Sequence, residues 1–409
     1  MKITIVGLGG GTPETLTIQA REALLGAGCI IGAKRLLESL PEGCTDNTAA
    51  AITAADILSA VQAYETQAGA GQNPAVAVVM SGDTGFYSGT KKLLPLLKEN
   101  GYDTEVLPGL SSVQMLAARL GRTWQDWELV SAHGLDVKLP GAAMSGRPTF
   151  FLTDSTFTPA VIAQQLTAAG LGDLGFAVGE ELSYPDEKIT VTTAAEAAGM
   201  TFAPLSVALT DAVEKSPYRA GGLPDDLFIR GEVPMTKRDI RAAVLSRLAV
   251  NEADVLWDIG AGTGSCSVEM ALAAPRGAVC AVECVDEACG LIMQNRERFH
   301  VWNLALTQAK APDGLADLPA PDAVFIGGTR GQLDGILDVA IAKNPAVRIV
   351  TTAIALESLQ RAQEALSARG DELDITQIQV SHAKKAGSLH LMMAENPIYL
   401  IAAQRPVEE

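Results

Sequence analysis

The stretch WDIGAGTGSCSVEM, Trp257–Met270, decides the fold of the second half of the chain. The apolar residues that end at Asp258 predict a buried strand, and a helical pattern begins at Ser265. The loop between them, Gly260–Gly264, has glycine at every second position. Glycines allow a tight turn and a close approach of backbone to ligand, and a helix N-terminus follows directly. A strand, a glycine turn and a helix in this order are typical of a nucleotide-binding site.

The glycine spacing and two acids restrict the ligand of this turn. A dinucleotide-binding loop would read GxGxxG from Gly260, but its sixth position is Ser265. A carboxylate at Asp258 disfavours a pyrophosphate and favours an α-amino group. Glu283 ends the next predicted strand, where an acid accepts hydrogen bonds from ribose hydroxyls. The alternative is a glycine turn that only packs the helix on the strand.

In this arrangement the second half resembles the class I S-adenosylmethionine-dependent methyltransferases. The Asn/Asp-Pro-Pro-aromatic motif of amino-group methyltransferases is missing after the fourth strand, which disfavours nitrogen methylation. The stretches Arg230–Lys237 and Ala323–Gly331 resemble one group in particular, the decarboxylating C15-methyltransferases of corrin biosynthesis (CbiT), from Leu223 onward. Together with Asp258, the residues that this resemblance places at the cofactor are Thr236, Gly260, Ala261, Gly262, Thr263, Gly264, Glu283 and Ala309.

The first half carries three small-residue loops, each after a predicted strand. They are Gly7–Thr17, Met80–Phe86 and Leu107–Gln114, and ligands of α/β sheets collect at such strand ends. The loops resemble the tetrapyrrole methylases, or class III methyltransferases, and among them the C5-methyltransferase group CbiE, over about residues 1–211. The family's usual first loop, Gly-Pro-Gly-Asp-Pro, reads Gly-Gly-Gly-Thr-Pro here. This resemblance implies a cofactor between two lobes, contacted by Ser81, Gly82, Asp83, Ser111 and Ser112.

Candidate catalytic and substrate-binding residues lie near both predicted sites. His133 ends a strand and is a candidate for proton transfer, although a lone histidine is often structural. Arg330 follows the fourth strand of the second half, where a methyl acceptor would lie, and Glu232 is a candidate for handling a proton. A substrate with many carboxylates needs cations to position it. The candidates are Arg230, Lys237, Arg241 and Lys384, each of which is otherwise a solvated surface charge.

Length and composition fit an α/β protein of two domains. The 409 residues exceed one ordinary core, and a turn-rich stretch without periodicity separates two alternating patterns. We predict a two-lobed methylase domain over 1–214, a linker over 215–223 and a doubly wound, Rossmann-like domain over 224–409. The sequence has neither an apolar run of about 20 residues nor a signal region.

The charge and the cysteines exclude other classes of partner. A formal net charge of -17 argues against nucleic acid, because phosphate binding needs a basic surface. The six cysteines form no CxxC pair, so we expect no metal and interpret them as buried thiols of a reducing cytoplasm.

One chain with both halves resembles the fused precorrin-6Y C5,C15-methyltransferases (decarboxylating) of the CobL type. The resemblance implies S-adenosylmethionine at one site per domain and a reduced corrin precursor of cobalamin biosynthesis, precorrin-6B or its cobalt form. It further implies C-methylation at C5 and C15, with loss of the ring C acetate carboxyl. Isolated relatives of the second domain are tetramers, so a homo-oligomer is expected, without nucleic acid or membrane.

Three other functions stay open at this point. The second half alone could methylate another small molecule, with the first half a degenerate binding domain, as its altered loops allow. A nicotinamide-dependent dehydrogenase would require GxGxxG, which neither glycine loop supplies. A non-catalytic sensor would bind S-adenosylmethionine without producing a methylated tetrapyrrole.

Overall fold

The computed structural model describes residues 1–68, 75–132, 135, 138–370 and 372–404. The chain divides into two compact units. The first contains residues 1–133, 150–161 and 175–210, and the second contains residues 134–149, 162–174 and 211–409. The units therefore differ from a simple division near residue 214, because two stretches of the first half group with the second unit. Within the described residues, no helix has the length and apolar character needed to cross a membrane.

The first sheet of the first unit is parallel, with strand order β3-β2-β4-β1-β5. Its strands are β1 Lys2–Gly7, β2 Cys29–Gly32, β3 Thr48–Ala50, β4 Val76–Met80 and β5 Asp103–Leu107. Around it lie α1 Ile18–Leu25, α2 Lys34–Leu37, α3 Ala54–Ala68, α4 Thr90–Glu99 and α5 Ser112–Leu120. The central strands are apolar at consecutive positions because both faces of the sheet are buried. The three predicted loops follow β1, β4 and β5, which are neighbours in the sheet.

The second sheet of this unit has the order β6-β7-β10-β8-β9, and its β10-β8-β9 part is antiparallel. Its strands are β6 Glu128–Ser131, β7 Thr149–Leu152, β8 Gly175–Glu180, β9 Lys188–Thr193 and β10 Ser206–Thr210. The helices of this part of the sequence are α6 Leu139–Ala143, α7 Pro159–Ala168 and α8 Ala194–Ala197. A buried cluster around Trp127 and Phe150, whose rings stack 6.4 Å apart, joins the sheet to α5.

The second unit contains a seven-stranded sheet of order β13-β12-β11-β14-β15-β19-β16. The first five strands are parallel, and β19 runs antiparallel between β15 and β16. Its strands are β11 Val255–Ile259, β12 Ala278–Glu283, β13 Leu304–Gln308, β14 Ala323–Ile326, β15 Arg348–Ala353, β16 Glu372–Ile378 and β19 Ile398–Gln404. The helices are α9 Arg238–Leu248, α10 Ser265–Ala273, α11 Asp286–Arg298, α12 Leu333–Lys343 and α13 Leu356–Ser367. The predicted doubly wound α/β sheet is confirmed.

Some elements differ from the prediction. The start signal Thr12-Pro13 predicts one helix over Glu14–Ala27. The structure instead has a 3-10 turn, Pro13–Thr15, followed by α1, whose first turn is capped by the Thr17 hydroxyl at 3.1 Å from the Ala20 N–H. A separate hairpin, β17 Ser381–Ala386 with β18 Leu389–Ala394, was not predicted as strands. All of its residues are exposed, so it lacks the alternation of apolar and polar residues that marks a half-buried strand.

The end of the predicted linker is held by a buried charged pair. The N–H groups of Gly221, Gly222 and Leu223 donate to the Glu269 carboxylate at 2.9, 2.7 and 3.0 Å. Arg241 Nε donates to the same carboxylate at 2.9 Å, and neither of the two charged side chains is exposed.

Arg241 makes further bonds in the same region. Its guanidinium donates to the Thr236 carbonyl at 2.6 Å, to the Leu223 carbonyl and to Asp225 Oδ1 at 2.7 Å. Arg241 therefore holds the chain segment before α9. The prediction that it binds substrate needs correction, because its donors are occupied inside the protein.

Candidate active sites

A cavity of about 520 Å³ in the second unit lies at the carboxyl ends of the parallel strands. Its wall includes the ends of β11 and β12, the loops after β13 and β14, and the segment before α9. This is the edge where ligands bind in open α/β sheets. The predicted site residues that line it are Thr236, Lys237, Gly260, Ala261, Gly262, Glu283, Ala309 and Arg330.

The glycine loop crosses the loop after β14 at very short range. Gly260 has a φ of +71°, and a Cβ there would lie 2.7 Å from the Gly328 carbonyl oxygen and 2.9 Å from its nitrogen. A side chain at this position would meet fixed backbone rather than a movable group. The Gly260 N–H donates to the Val282 carbonyl at 2.9 Å, which fastens the loop to the end of β12.

Glu283 is the most constrained carboxylate on the cavity wall. Its Oε1 accepts from the N–H groups of Cys284 and Val285 at 2.7 and 3.0 Å, and its Oε2 accepts from Gly262 N–H at 2.9 Å. The side chain is 8% exposed and faces the cavity. An ionised carboxylate has about four acceptor positions, and three N–H groups already donate to Glu283. It can therefore still accept from about one hydroxyl of a vicinal diol.

Asp258 lies behind the glycine loop and does not line the cavity. Its side chain is fully buried, Ser267 Oγ donates to its Oδ2, and its Oδ1 has no hydrogen-bond partner among the described residues. Burial raises the pKa of the Asp258 carboxyl to about 7, against the lowering effect of the Ser267 hydrogen bonds. Thr263 and Gly264 are likewise outside the cavity wall, and the buried Thr263 hydroxyl also lacks a described partner.

Because of Asp258, the free energy of unfolding of the ligand-free chain should fall as the pH rises from about 4 to about 7. An Asp in an unfolded chain titrates near about 3.9, whereas Asp258 titrates at about 7 in the folded state. The folded state therefore holds the extra proton in this window, and stability is lost until about pH 7 and not beyond. Urea unfolding of the wild type and Asp258→Asn at several pH values isolates the effect. A pH-independent difference between the two proteins would contradict it.

Three cations line this cavity in a strongly acidic chain. Lys237 directly precedes α9, Lys310 lies in the loop after β13, and Arg330 lies in the loop after β14. Arg330 has a φ of +46°, in the left-handed region that is rare for residues other than glycine. Sequence analysis missed Lys310 because it missed β13, whose end places this residue at the cavity.

The other predicted residues of this unit lie elsewhere. Arg230 and Glu232 are exposed and do not line the cavity, and the Glu232 N–H donates to Glu287 Oε1 at 3.2 Å. Lys384 is exposed on β17. The structure therefore brings Lys237 and Arg330 to the cavity, but not Arg230, Glu232 or Lys384.

The first unit has a cavity of about 240 Å³ between its two sheets. All five predicted cofactor contacts line it, namely Ser81, Gly82, Asp83, Ser111 and Ser112. From the second sheet, Leu152, Thr153 and Ser206 complete the wall. The predicted proton-transfer residue His133 lies outside the described residues.

Asp83 fastens two loops of this cavity to each other. Its Oδ1 accepts from the Gly85 N–H at 2.8 Å, within its own loop, and its Oδ2 accepts from the Gly109 N–H at 3.2 Å in the loop after β5. A carboxylate that accepts backbone hydrogen bonds on both oxygens has a fixed orientation. Asp83 therefore shapes the cavity wall, whatever it contacts in a ligand.

The glycine loop after β1 does not form a phosphate cradle. The N–H of Gly9 donates to the Gly82 carbonyl at 3.2 Å, that of Gly10 to Thr15 Oγ1 at 3.0 Å, and that of Gly11 to the Leu8 carbonyl at 3.1 Å. Phosphate-binding loops aim such N–H groups at the ligand. This geometry disfavours a dinucleotide in the first unit.

The two halves match two families of methyltransferase. Residues 2–198 match the Tetrapyrrole (Corrin/Porphyrin) Methylases, and residues 226–405 match the Precorrin methyltransferase domain. A precorrin-6Y C(5,15)-methyltransferase [decarboxylating] of a Sinorhizobium species is 32% identical over 360 residues, which cover 86% of this chain and 84% of that protein. Methyltransferases of this family use S-adenosylmethionine, and a tetrapyrrole substrate is consistent with both family matches.

Some relatives match only the second half of the chain, at sequence identities slightly above that of the Sinorhizobium protein. The cobalt-precorrin-6B C(15)-methyltransferase (decarboxylating) of Salmonella typhimurium is 39% identical, with 45% of this chain and 96% of that protein covered. A solved structure of a precorrin-6Y C5,15-methyltransferase from Geobacter metallireducens is 35% identical, covers 46% of this chain and 100% of that chain, and gives a TM-score of 0.45. The resemblances predicted for both halves are confirmed. Because the Sinorhizobium relative spans both halves, the chain belongs to the family of precorrin-6Y C5,C15-methyltransferases (decarboxylating).

Proposed function

We propose that this chain methylates precorrin-6B, or its cobalt form, at C5 in the first unit and at C15 in the second. The second unit also removes the ring C acetate carboxyl as carbon dioxide. The observation that carries this proposal is that each unit has its own cavity at the carboxyl ends of parallel strands. The two cavities support one S-adenosylmethionine per unit, in preference to a single active site beside a degenerate domain.

The residues of the second cavity fit this cofactor. Glu283 keeps about one acceptor position, in a fixed orientation, for a ribose hydroxyl. Thr236 and Ala309 complete the wall on either side. When bound, S-adenosylmethionine supplies an electrophilic methyl group on a sulfonium sulfur.

The chain itself contributes by positioning the tetrapyrrole carbon against the methyl group and by excluding water. An electron-rich, enamine-like carbon of a reduced tetrapyrrole forms a bond to the methyl carbon while the bond from methyl to sulfur breaks. Decarboxylation breaks a carbon–carbon bond, and the remaining carbon takes up a proton. Lys237, Lys310 and Arg330 hold the substrate carboxylates beside the cofactor loop, and Arg330 does so from the loop after β14.

We also propose a cytoplasmic homo-oligomer that associates through the β17–β18 hairpin of the second unit. The hairpin exposes four large apolar side chains, Leu389, Leu391, Met392 and Met393, which are 52% to 66% exposed. Apolar groups of this size are normally covered in an assembled protein. All six cysteines are free thiols, in keeping with a reducing compartment.

The full-length chain, S-adenosylmethionine and a reduced precorrin-6B test the function directly. We expect the product to gain two methyl groups and lose one carbon dioxide by mass spectrometry. One methyl group with the same loss would mean that the first unit is not catalytic. An unchanged substrate, despite cofactor binding, would contradict the proposed function and favour a sensor.

A further inference from the structure

Arg35, on α2, is a cation of the first cavity whose described hydrogen-bond partners are neutral hydroxyls. Its Nη1 donates to the Tyr184 hydroxyl at 3.3 Å and its Nη2 to Ser81 Oγ at 3.4 Å. Both bonds are long and both acceptors are neutral. Among the residues that the structure describes, no Asp or Glu forms an ion pair with Arg35, whereas Arg119 of the same unit pairs with Glu187. Arg35 and both of its acceptors line the cavity.

Tyr184 reaches Arg35 because the preceding residue is fixed in an unusual conformation. Ser183 has a φ of +72°, its N–H donates to Glu187 Oε2 at 2.6 Å, and its hydroxyl donates to the Gly10 carbonyl at 3.0 Å. Gly11 leaves room for the ring, because a Cβ there would lie 2.2 Å from the Tyr184 hydroxyl oxygen. The phenol is therefore held over the glycine loop, facing the guanidinium.

The glycine loop and Asp83, on the same wall, do not favour an anion. The loop N–H groups of Gly9, Gly10 and Gly11 are bonded within the protein, and the Asp83 carboxylate repels negative charge. A guanidinium exchanges weak bonds to neutral hydroxyls for two parallel bonds to a carboxylate at a gain in energy. The hydroxyls of Tyr184 and Ser81 are then free to donate to the same group.

We propose that Arg35, with Tyr184 and Ser81, is the carboxylate-binding site of the first cavity. The carboxylate belongs either to the methionine part of the cofactor or to an acetate or propionate arm of the tetrapyrrole. This inference rests on the proposed function of the first unit. It assigns a positioning role to residues outside the predicted cofactor contacts, apart from Ser81.

Binding to the full-length chain distinguishes the two sources of the carboxylate. Calorimetry compares S-adenosylhomocysteine with methylthioadenosine, which lacks the amino acid part, and the second unit's site serves as an internal reference. If Arg35 holds the cofactor, Arg35→Gln weakens S-adenosylhomocysteine at one site by about 10- to 100-fold and leaves methylthioadenosine unchanged. Arg35→Lys, which keeps the charge but loses the fork, gives a smaller loss.

Steady-state kinetics test whether the carboxylate belongs to an acetate or propionate arm of the tetrapyrrole. If Arg35 holds a substrate arm, Arg35→Gln raises the KM for precorrin-6B in the first-unit methylation by about 10- to 100-fold, while binding of S-adenosylhomocysteine is unchanged. Methylation and carbon dioxide release by the second unit stay as in the wild type. Tyr184→Phe also raises this KM, by a smaller factor than Arg35→Gln.

Lys34→Gln is the matched control, since Lys34 is an exposed cation on the same helix and does not line the cavity. The inference is overturned if Arg35→Gln matches Lys34→Gln in both binding and KM while the wild type transfers both methyl groups. A wild type that binds one S-adenosylhomocysteine and transfers one methyl contradicts the proposed function, before any variant is compared. Unaltered thermal unfolding of Arg35→Gln separates either loss from misfolding, because the side chain is exposed.

Discussion

Gly260→Ala should reduce methylation and decarboxylation by the second unit by at least about 100-fold, while methyl transfer by the first unit continues. The added Cβ would lie 2.7 and 2.9 Å from the backbone oxygen and nitrogen of Gly328, and neither atom can rotate away. The φ of +71° adds strain for any residue with a side chain. The loop must move, and the bond from the Gly262 N–H to Glu283 is lost with it. Mass spectrometry of the product and the number of cofactor sites per chain measure the result.

Gly290→Ala provides the control within the same unit. Gly290 is an exposed residue of α11, and a Cβ there would have no atom within 4 Å. Alanine favours a helix over glycine by about 1 kcal/mol, so this variant should keep full activity and gain slight stability. Gly260→Ala with activity within a few-fold of Gly290→Ala would show that the loop does not hold the cofactor.

The second large effect concerns stability: Arg241→Met should lower the free energy of unfolding of the second unit by about 3–5 kcal/mol. The change leaves Glu269 charged and fully buried, with only backbone N–H groups around it. It also leaves the carbonyls of Thr236 and Leu223 without the guanidinium donors. Hydrogen exchange in increasing urea, read on peptides from β11 and β12, reports this unit separately from the first.

Two comparisons make the Arg241 prediction specific. Adding Glu269→Gln should recover part of the loss, because the uncompensated buried charge is then removed. Arg247→Met, on the same helix, should cost about 1 kcal/mol or less, since Arg247 is 40% exposed and pairs with an exposed Asp374. Equal losses for the two arginines would show that the buried pair has no special importance.

The sequence was sufficient for most of the strands that carry the sites, although not for β13, and for Glu283 beside them. Gly260–Gly264 and Glu283 were predictable because a turn and the acid of the next strand have a fixed order along the chain. The buried position of Arg241 was not predictable from the sequence. It depends on Glu269, 28 residues later, and on backbone carbonyls that no residue pattern reveals. An arginine on an amphipathic helix otherwise predicts a solvated charge.

The elements missed in the fold were those with little burial or few residues. β2 has four residues and β3 has three, which is too short for a periodic pattern to develop. The hairpin β17–β18 is exposed on both faces, so its pattern is not set by a core within the chain. Arg35 was missed for another reason: its site depends on Tyr184, 149 residues away in the sequence.

The contacts of Glu269 restrict where the polypeptide can be divided into separately expressed pieces. The three backbone donors from Gly221, Gly222 and Leu223 belong to the segment that looked like a dispensable connector. A piece that begins at Pro224 would lack all three, although it would contain every strand of the seven-stranded sheet. A separately expressed piece that carries the seven-stranded sheet should therefore begin upstream of Gly221.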